Sequence, residues 1–370
     1  MFKNLKKTDL HGTQFISYLN EHNGFISLFG DFYIDGEFFL PISVKQKAGC
    51  PELFGNYSQT KYRKYFEQDY YDNTMEEHNN MEVIENSLVL GSSGNYWHDL
   101  IDFYSKIFSY DKKIDNNIDK IIIGNSYIKD PIITLLKKLN IQKKLINIDT
   151  KTKILKNSFF VSSKDTTKTN DFYRLLFMDN NIKQTKNIYI SRKDSNTRSI
   201  QNEDEVVNFL KKFDFEVYEL SKLTFLEQIK IFNQAKIIVS MHGAALTNLM
   251  FCNPETTVVE IAADFYEQNK FSNFDIIVDK DRFPEWKENK TDWFSEINSM
   301  KFNKYTRWMY NNLSQMNGLH HYYYFVKLIN LRQSDLKSNI EFSFQEITYT
   351  NLTIDMSVFK KFFSMVTNFS

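Results

Sequence analysis

Cysteine is almost missing from this chain. Cys50 and Cys252 are the two in 370 residues, too few for a disulfide framework and in no metal-type spacing with histidine. A reducing, cytoplasmic setting is the expectation. Long apolar runs are missing as well: no stretch approaches the roughly 20 residues of a membrane span, and the N-terminus MFKNLKKTDLHGTQ has no signal-peptide core. Nor is there excess charge of either sign. Lys+Arg and Asp+Glu both number 46, so the formal net charge is zero and no basic field exists for tracking nucleic acid or an anionic membrane. Any phosphate must be held locally. No G-x-G-x-x-G turn follows a strand, which argues against a dehydrogenase.

What is present is a globular composition, 42% apolar, in a chain long enough for two domains. Residues 1 to 86 carry short strand-like pieces (Phe25 to Phe29, Phe38 to Val44) among Tyr-rich polar segments. From residue 87 the elements alternate. Leu88 to Leu90 reads as a strand, Gly91 to Asn95 as a turn and Tyr96 to Phe108 as an amphipathic helix. Lys120 to Gly124 is a buried strand, followed by a helix over Ile132 to Leu139 with Asp130 as N-cap and Pro131 at its first position. Strands over Lys144 to Ile148 and Phe159 to Ser162, and a helix over Phe172 to Met178, complete this half.

The polar stretch 179 to 187 reads as a linker, and a second alternating series begins at Ile188. It runs strand (Ile188 to Ser191), helix from Asn202-Glu203, strand (Phe215 to Leu220), helix from the capping box Thr224-x-x-Glu227, strand (Lys236 to Ser240), turn, helix, and strand (Thr257 to Ile261). Phe274 to Val278, Leu319 to Leu328 and the alternation Ile340, Phe342, Phe344 are further strand-like pieces, and Ser357 to Phe369 is a final amphipathic helix. The expectation is an α/β chain of two Rossmann-like domains, 1–182 and 183–318, facing a central cleft, with 319–370 packing back across them.

The second series is organised around Lys236 to Ile261, where a β-branched strand ends in Met241-His242-Gly243-Ala244-Ala245. A helix start after such a turn offers backbone N–H groups and a positive dipole end, and small residues let an anion come close. Gly243 and Ala244 are the candidate phosphate cradle, with His242 as a hydrogen-bonding partner and Asn248 as a further donor. Glu260, an acid near the carboxyl end of the next strand, is the candidate for ribose hydroxyls. Arg192 and Arg198, after an upstream strand, can fork onto a diphosphate. In the first series His98 and Asp99 open a helix behind the glycine-bearing turn, and a neutral imidazole suits a general base near pH 7. His320 and His321 are rivals for that role. The triplet Asp279-Lys280-Asp281 imitates a metal motif but reads as a solvated turn, so no metal is expected.

In order along the chain, Ile190-Ser191-Arg192, Arg198, Asn202-Glu203, Phe215-Glu216-Val217, Glu227-Gln228, His242-Gly243-Ala244, Leu246-Thr247-Asn248 and Glu260 resemble glycosyltransferase family 61 over about seventy residues. A weaker echo lies at Asn95-Tyr96-Trp97-His98-Asp99. The resemblance implies an inverting transferase of the two-Rossmann (GT-B-like) kind. Its donor would be a UDP-sugar, often of xylose, arabinose or N-acetylglucosamine, and its acceptor a hydroxyl of a glycan or protein. The other expectation carried forward is a noncatalytic nucleotide- or glycan-binding module on the same fold.

Overall fold

The computed structural model describes residues 6–8, 17–22, 25–37, 39–43, 48–49, 78–124, 128–162, 166–179, 181–195, 198–263, 308–326 and 351–367. The expected strands at Phe274 to Val278 and Ile340 to Phe344, and the triplet Asp279-Lys280-Asp281, lie outside these residues. The chain forms two compact units, Met1–Leu176 and Phe177–Ser370.

The first unit holds β1 (Lys6–Thr8), β2 (Ser17–His22), β3 (Phe25–Asp35), β4 (Leu40–Ser43), β5 (Ala48–Gly49), β6 (Val83–Glu85), β7 (Ser87–Val89), β8 (Lys120–Gly124), β9 (Lys144–Ile148) and β10 (Lys153–Val161). Its parallel core runs β10-β7-β8-β9. Ile121, Ile122 and Ile123 of β8 are all buried, as befits a strand covered on both faces. The N-terminal residues extend this sheet by antiparallel pairing, with β3 against β10. A register shift between Leu155 and Ser158 divides β10, so that one half pairs with β6 and the other with β7. Sequence reading saw only the second half, because Lys156 and Asn157 interrupt the apolar run.

The helix expected over Tyr96 to Phe108 is a composite. An α turn (Tyr96–His98) passes into a π turn (Asp99–Phe103) and then a 3-10 stretch (Tyr104–Ser109). Widened turns of this kind recur at functional sites. Asp130 is the first residue of the helix Asp130–Lys138 and not its N-cap, which is Lys129.

The second unit holds β11 (Lys186–Ile190), β12 (Phe215–Tyr218), β13 (Ala235–Met241), β14 (Thr257–Ala263) and β15 (His320–Val326), all parallel, in the order β12-β11-β13-β14-β15. Counted within the unit this is 2-1-3-4-5, a doubly wound order whose direction reverses between β11 and β13. The expected mixed α/β chain with parallel sheets is borne out. The capping box forms as read: Thr224 Oγ1 accepts from the Glu227 N–H, and Glu227 Oε2 accepts from the Thr224 backbone. Asn202 caps the helix Glu203–Leu210 without a side-chain bond into it. Its amide instead exchanges two 2.9 Å bonds with Ile354, tying the C-terminal segment to this unit. The helix Met356–Thr367 then buries Phe359, Phe362 and Phe363 against Tyr189, Val239, Val259 and Tyr324, closing one face of the sheet.

Candidate active site

The topology brings the carboxyl ends of β11 and β13 side by side, with Ile190 in register with Ser240. Beyond β11 comes Arg192, and beyond β13 come His242 and Gly243. In doubly wound sheets ligands collect at that reversal point. The contact there explains the glycine: a Cβ built on Gly243 would collide with a terminal nitrogen of Arg192, so the missing side chain is what lets the guanidinium lie on the turn. Gly243 itself has an extended backbone (φ 169°, ψ 172°), so space and not conformation selects it.

Arg192 is fixed from its other side. Its Nε donates to the Arg198 carbonyl at 3.1 Å and a terminal nitrogen donates to Ser195 Oγ at 2.9 Å. Arg198 takes a left-handed backbone (φ 57°) in this loop. Burial lowers the pKa of the Arg192 guanidinium, the neighbouring Arg198 charge lowers it further, and Asp194 and Tyr310 act in opposition. An anion here would relieve that cost.

After Gly243 the chain turns into a 3-10 helix, Ala244–Phe251, where an ordinary helix start had been expected. Thr247 and Asn248 of this turn face inward and are fully buried. Thr247 Oγ1 donates to the Ala244 carbonyl at 2.6 Å, and the Asn248 amide donates to Gln228 Oε1 at 3.0 Å.

His242 is held from both ends. Its backbone N–H donates to the Ile261 carbonyl at 2.8 Å, and its Nδ1 meets Glu260 Oε1 in a short contact. The other oxygen, Glu260 Oε2, is 2.9 Å from His321 Nε2 on β15, and His321 Nδ1 is 2.7 Å from Ser314 Oγ. Glu260 is 1% exposed. Burial works to raise its pKa, but the two histidines outweigh that and hold it at about 2. An ionised carboxylate only accepts hydrogen bonds, so both facing ring nitrogens carry a proton. The three groups form a linear chain in which each ring takes a separate oxygen. No group of three His, Cys, Asp or Glu side chains suited to a metal occurs among the described residues. Sequence reading put Glu260 toward ribose; the structure places both of its oxygens on histidines. His320, the neighbouring rival, is exposed and pairs with Glu255 at 2.8 Å.

In the first unit, β7 leads through Gly91 (φ 85°) and Gly94 (φ 73°) to Asn95, whose side chain accepts from the Trp97 and His98 N–H groups. Asp99 is fully buried, and its carboxylate takes the Ser93 backbone N–H at 2.5 Å and hydroxyl at 3.0 Å, fastening the turn to the helical stretch. The carboxylate at His98 is Asp102, with Nδ1 to Oδ2 at 2.6 Å. Asp102 is not among the residues expected from the sequence. Its i, i+4 spacing from His98 was the available signal. Four residues further on, Lys106 is fully buried, donates to the Leu90 carbonyl at 2.9 Å and lies over the Phe103 and Phe160 rings. Burial pulls its pKa down to about 7, against the attraction of Asp102.

Residues 96–259 match the family model described as Glycosyltransferase 61. The resemblance to glycosyltransferase family 61 holds. The matched region starts two residues before His98 and ends one before Glu260, so one family 61 match takes in both histidine sites. The EGF domain-specific O-linked N-acetylglucosamine transferase of Mus musculus is 42% identical over 69 residues, covering 17% of this chain and 13% of that protein. Its Bos taurus counterpart is 41% identical over 69 residues, with the same coverage. Xylan glycosyltransferase MUCI21 of Arabidopsis thaliana is 32% identical over 93 residues, covering 24% of this chain and 18% of that protein. The aligned stretches thus span under a fifth of each relative. Among the described residues no helix is long and apolar enough to cross a membrane.

Proposed function

We propose that this chain is an inverting glycosyltransferase that moves a sugar, N-acetylglucosamine, xylose or a similar one, from a UDP-sugar to a hydroxyl of a glycan or protein. The observation that carries the reading is the seat at the sheet reversal, where Arg192 lies on Gly243 beside a His242 fixed by Glu260. A nucleoside diphosphate is the ligand whose charge suits it. Arg192, the Gly243–Ala244 backbone and His242 would neutralise the departing diphosphate, the electrostatic task of such a reaction. Arg198 holds Arg192 through its carbonyl and adds charge. Glu260 serves as the group that orients His242.

His98 is the base in this reading. Asp102 on Nδ1 fixes the tautomer that leaves Nε2 to take the acceptor proton, as a carboxylate does in other catalytic dyads. Asp99 shapes the turn that presents His98. The GT-B-like pairing of the two units and the independence from metal belong to the same proposal. So does the cytoplasmic setting, which rests on the scarcity of cysteine.

A thermal-shift panel of nucleotides and UDP-sugars, followed by assay of UDP release without acceptor, tests the reading. A ligand at about 100 times its Kd stabilises by roughly 2.7 kcal/mol. UDP should raise Tm, and a UDP-sugar should be slowly hydrolysed. Binding with strict inertness toward every donor and acceptor would make the chain a noncatalytic module, and no response to any nucleotide would overturn both.

A further inference from the structure

Glu260 carries more than one histidine. Its second oxygen is held by His321, whose side chain is 2% exposed and whose other ring nitrogen meets Ser314 Oγ on the helix Trp308–Met316. These contacts, 7, 61 and 18 positions apart in sequence, form one line: Ser314, His321, Glu260, His242. A buried carboxylate with two oxygens needs a donor on each to stay ionised and stay put. His321 supplies the second donor, so removing it frees Glu260 to rotate about its terminal bond and loosens its hold on His242.

The chain of donors also fixes what His242 can do. With Nδ1–H committed to Glu260, a neutral His242 would carry only a lone pair on Nε2 and would repel a phosphate oxygen. Contact with a diphosphate through Nε2 therefore requires the imidazolium. We propose that His321 is a positioning residue of the nucleotide seat: with Ser314 it locks Glu260 so that His242 meets the diphosphate as a charged Nε2–H donor. The inference rests on the diphosphate reading of the seat above. The groups at this line are Arg192, which lies on Gly243 and is itself acted on by Arg198 and Asp194, Tyr310 from the helix Trp308–Met316 with its ring 5.2 Å from His242, and Tyr323 with its ring 4.7 Å from His321. Arg192, on the adjacent glycine, opposes charge on His242, and Glu260 offsets it, which makes its orientation decisive.

The experiment is calorimetric titration of the full chain with UDP and, separately, with uridine, in buffers of different ionisation enthalpy. Binding of UDP to the unaltered protein should take up a proton, up to one per site, while uridine takes up none. His321→Leu should weaken UDP about tenfold or more and cut the proton uptake, with uridine affinity unchanged. His321→Gln, which keeps an N–H donor, should stay within about threefold of the unaltered protein. Ser314→Ala, a milder change, should weaken UDP two- to threefold and carries the test if His321→Leu does not fold. Equal loss for UDP and uridine, or UDP affinity and proton uptake untouched in folded His321→Leu or Ser314→Ala, would overturn the inference while leaving the nucleotide reading standing. Failure of the unaltered protein to bind UDP would overturn the nucleotide reading itself.

Discussion

His98 in the first unit and His242 in the second are built on one plan: each follows the carboxyl end of a parallel strand, each sits at a glycine-bearing turn, and each gives Nδ1 to a carboxylate. They differ in where the carboxylate comes from. Asp102 is four residues along the same helical stretch, and the pair is part-exposed, with side chains at 27% and 12%. Glu260 is 18 residues away on the next strand, fully buried and bound to a second histidine. A locally supplied carboxylate behind a part-exposed ring suits a group that gains and loses a proton in turnover. A buried one, clamped from both sides, suits a group whose orientation must not change.

The sharpest way to break the comparison is to remove each carboxylate. Glu260→Ala leaves two buried histidines without their acceptor and should cost on the order of 3–5 kcal/mol in urea unfolding, whereas Asp102→Ala, whose ring partner reaches solvent, should cost about 1–2 kcal/mol. Similar losses for the two would mean that the burial difference has no energetic weight. Acid titration sharpens the same point. The Glu260 pKa is depressed in the folded state, from 4.5 to about 2, so its stabilisation is complete above about pH 4.5 and is lost as pH falls toward 2. Unfolding of the unaltered protein against Glu260→Gln should show a gap of roughly 3 kcal/mol closing over that window. A gap independent of pH would refute it.

A smaller effect probes the seat beside His242. Gly243→Ala pushes the Arg192 guanidinium off the turn and should weaken UDP about tenfold, with Tm nearly unchanged. Retained UDP affinity would mean that Arg192 does not need its place on the glycine. The smallest effect is on metal removal: transfer should persist in excess chelator, since protein groups supply the positive charge in this account. Loss of activity restored by Mn²⁺ or Mg²⁺ would replace that arrangement with a metal.

Much of this was legible in order along the chain, because strand, turn and helix signals are local. The capping box at Thr224 and the parallel strands from Ile188 to Ile261 needed only neighbouring residues. Asp102 was legible in the same way, by i, i+4 spacing from His98, whereas Asp99, adjacent to His98 in sequence, points back to Ser93 from the π turn. The clamp on Glu260 was not legible. His321 reaches it only because β15 pairs with β14 across 63 residues, and Ser314 only because the helix before β15 brings it to His321. Glu260 alone in a strand reads as a ligand-binding acid. With its partners in place it reads as a support.

The most direct test of the division of labour is a crossed measurement of turnover and UDP affinity in His98→Ala and His242→Ala, each checked for folding. A positioned base contributes ~10²–10⁴-fold, so His98→Ala should lower kcat by about that factor with UDP affinity unchanged. His242→Ala should instead weaken UDP about tenfold or more. Loss of UDP affinity in His98→Ala, or a normal kcat in that variant, would contradict the account.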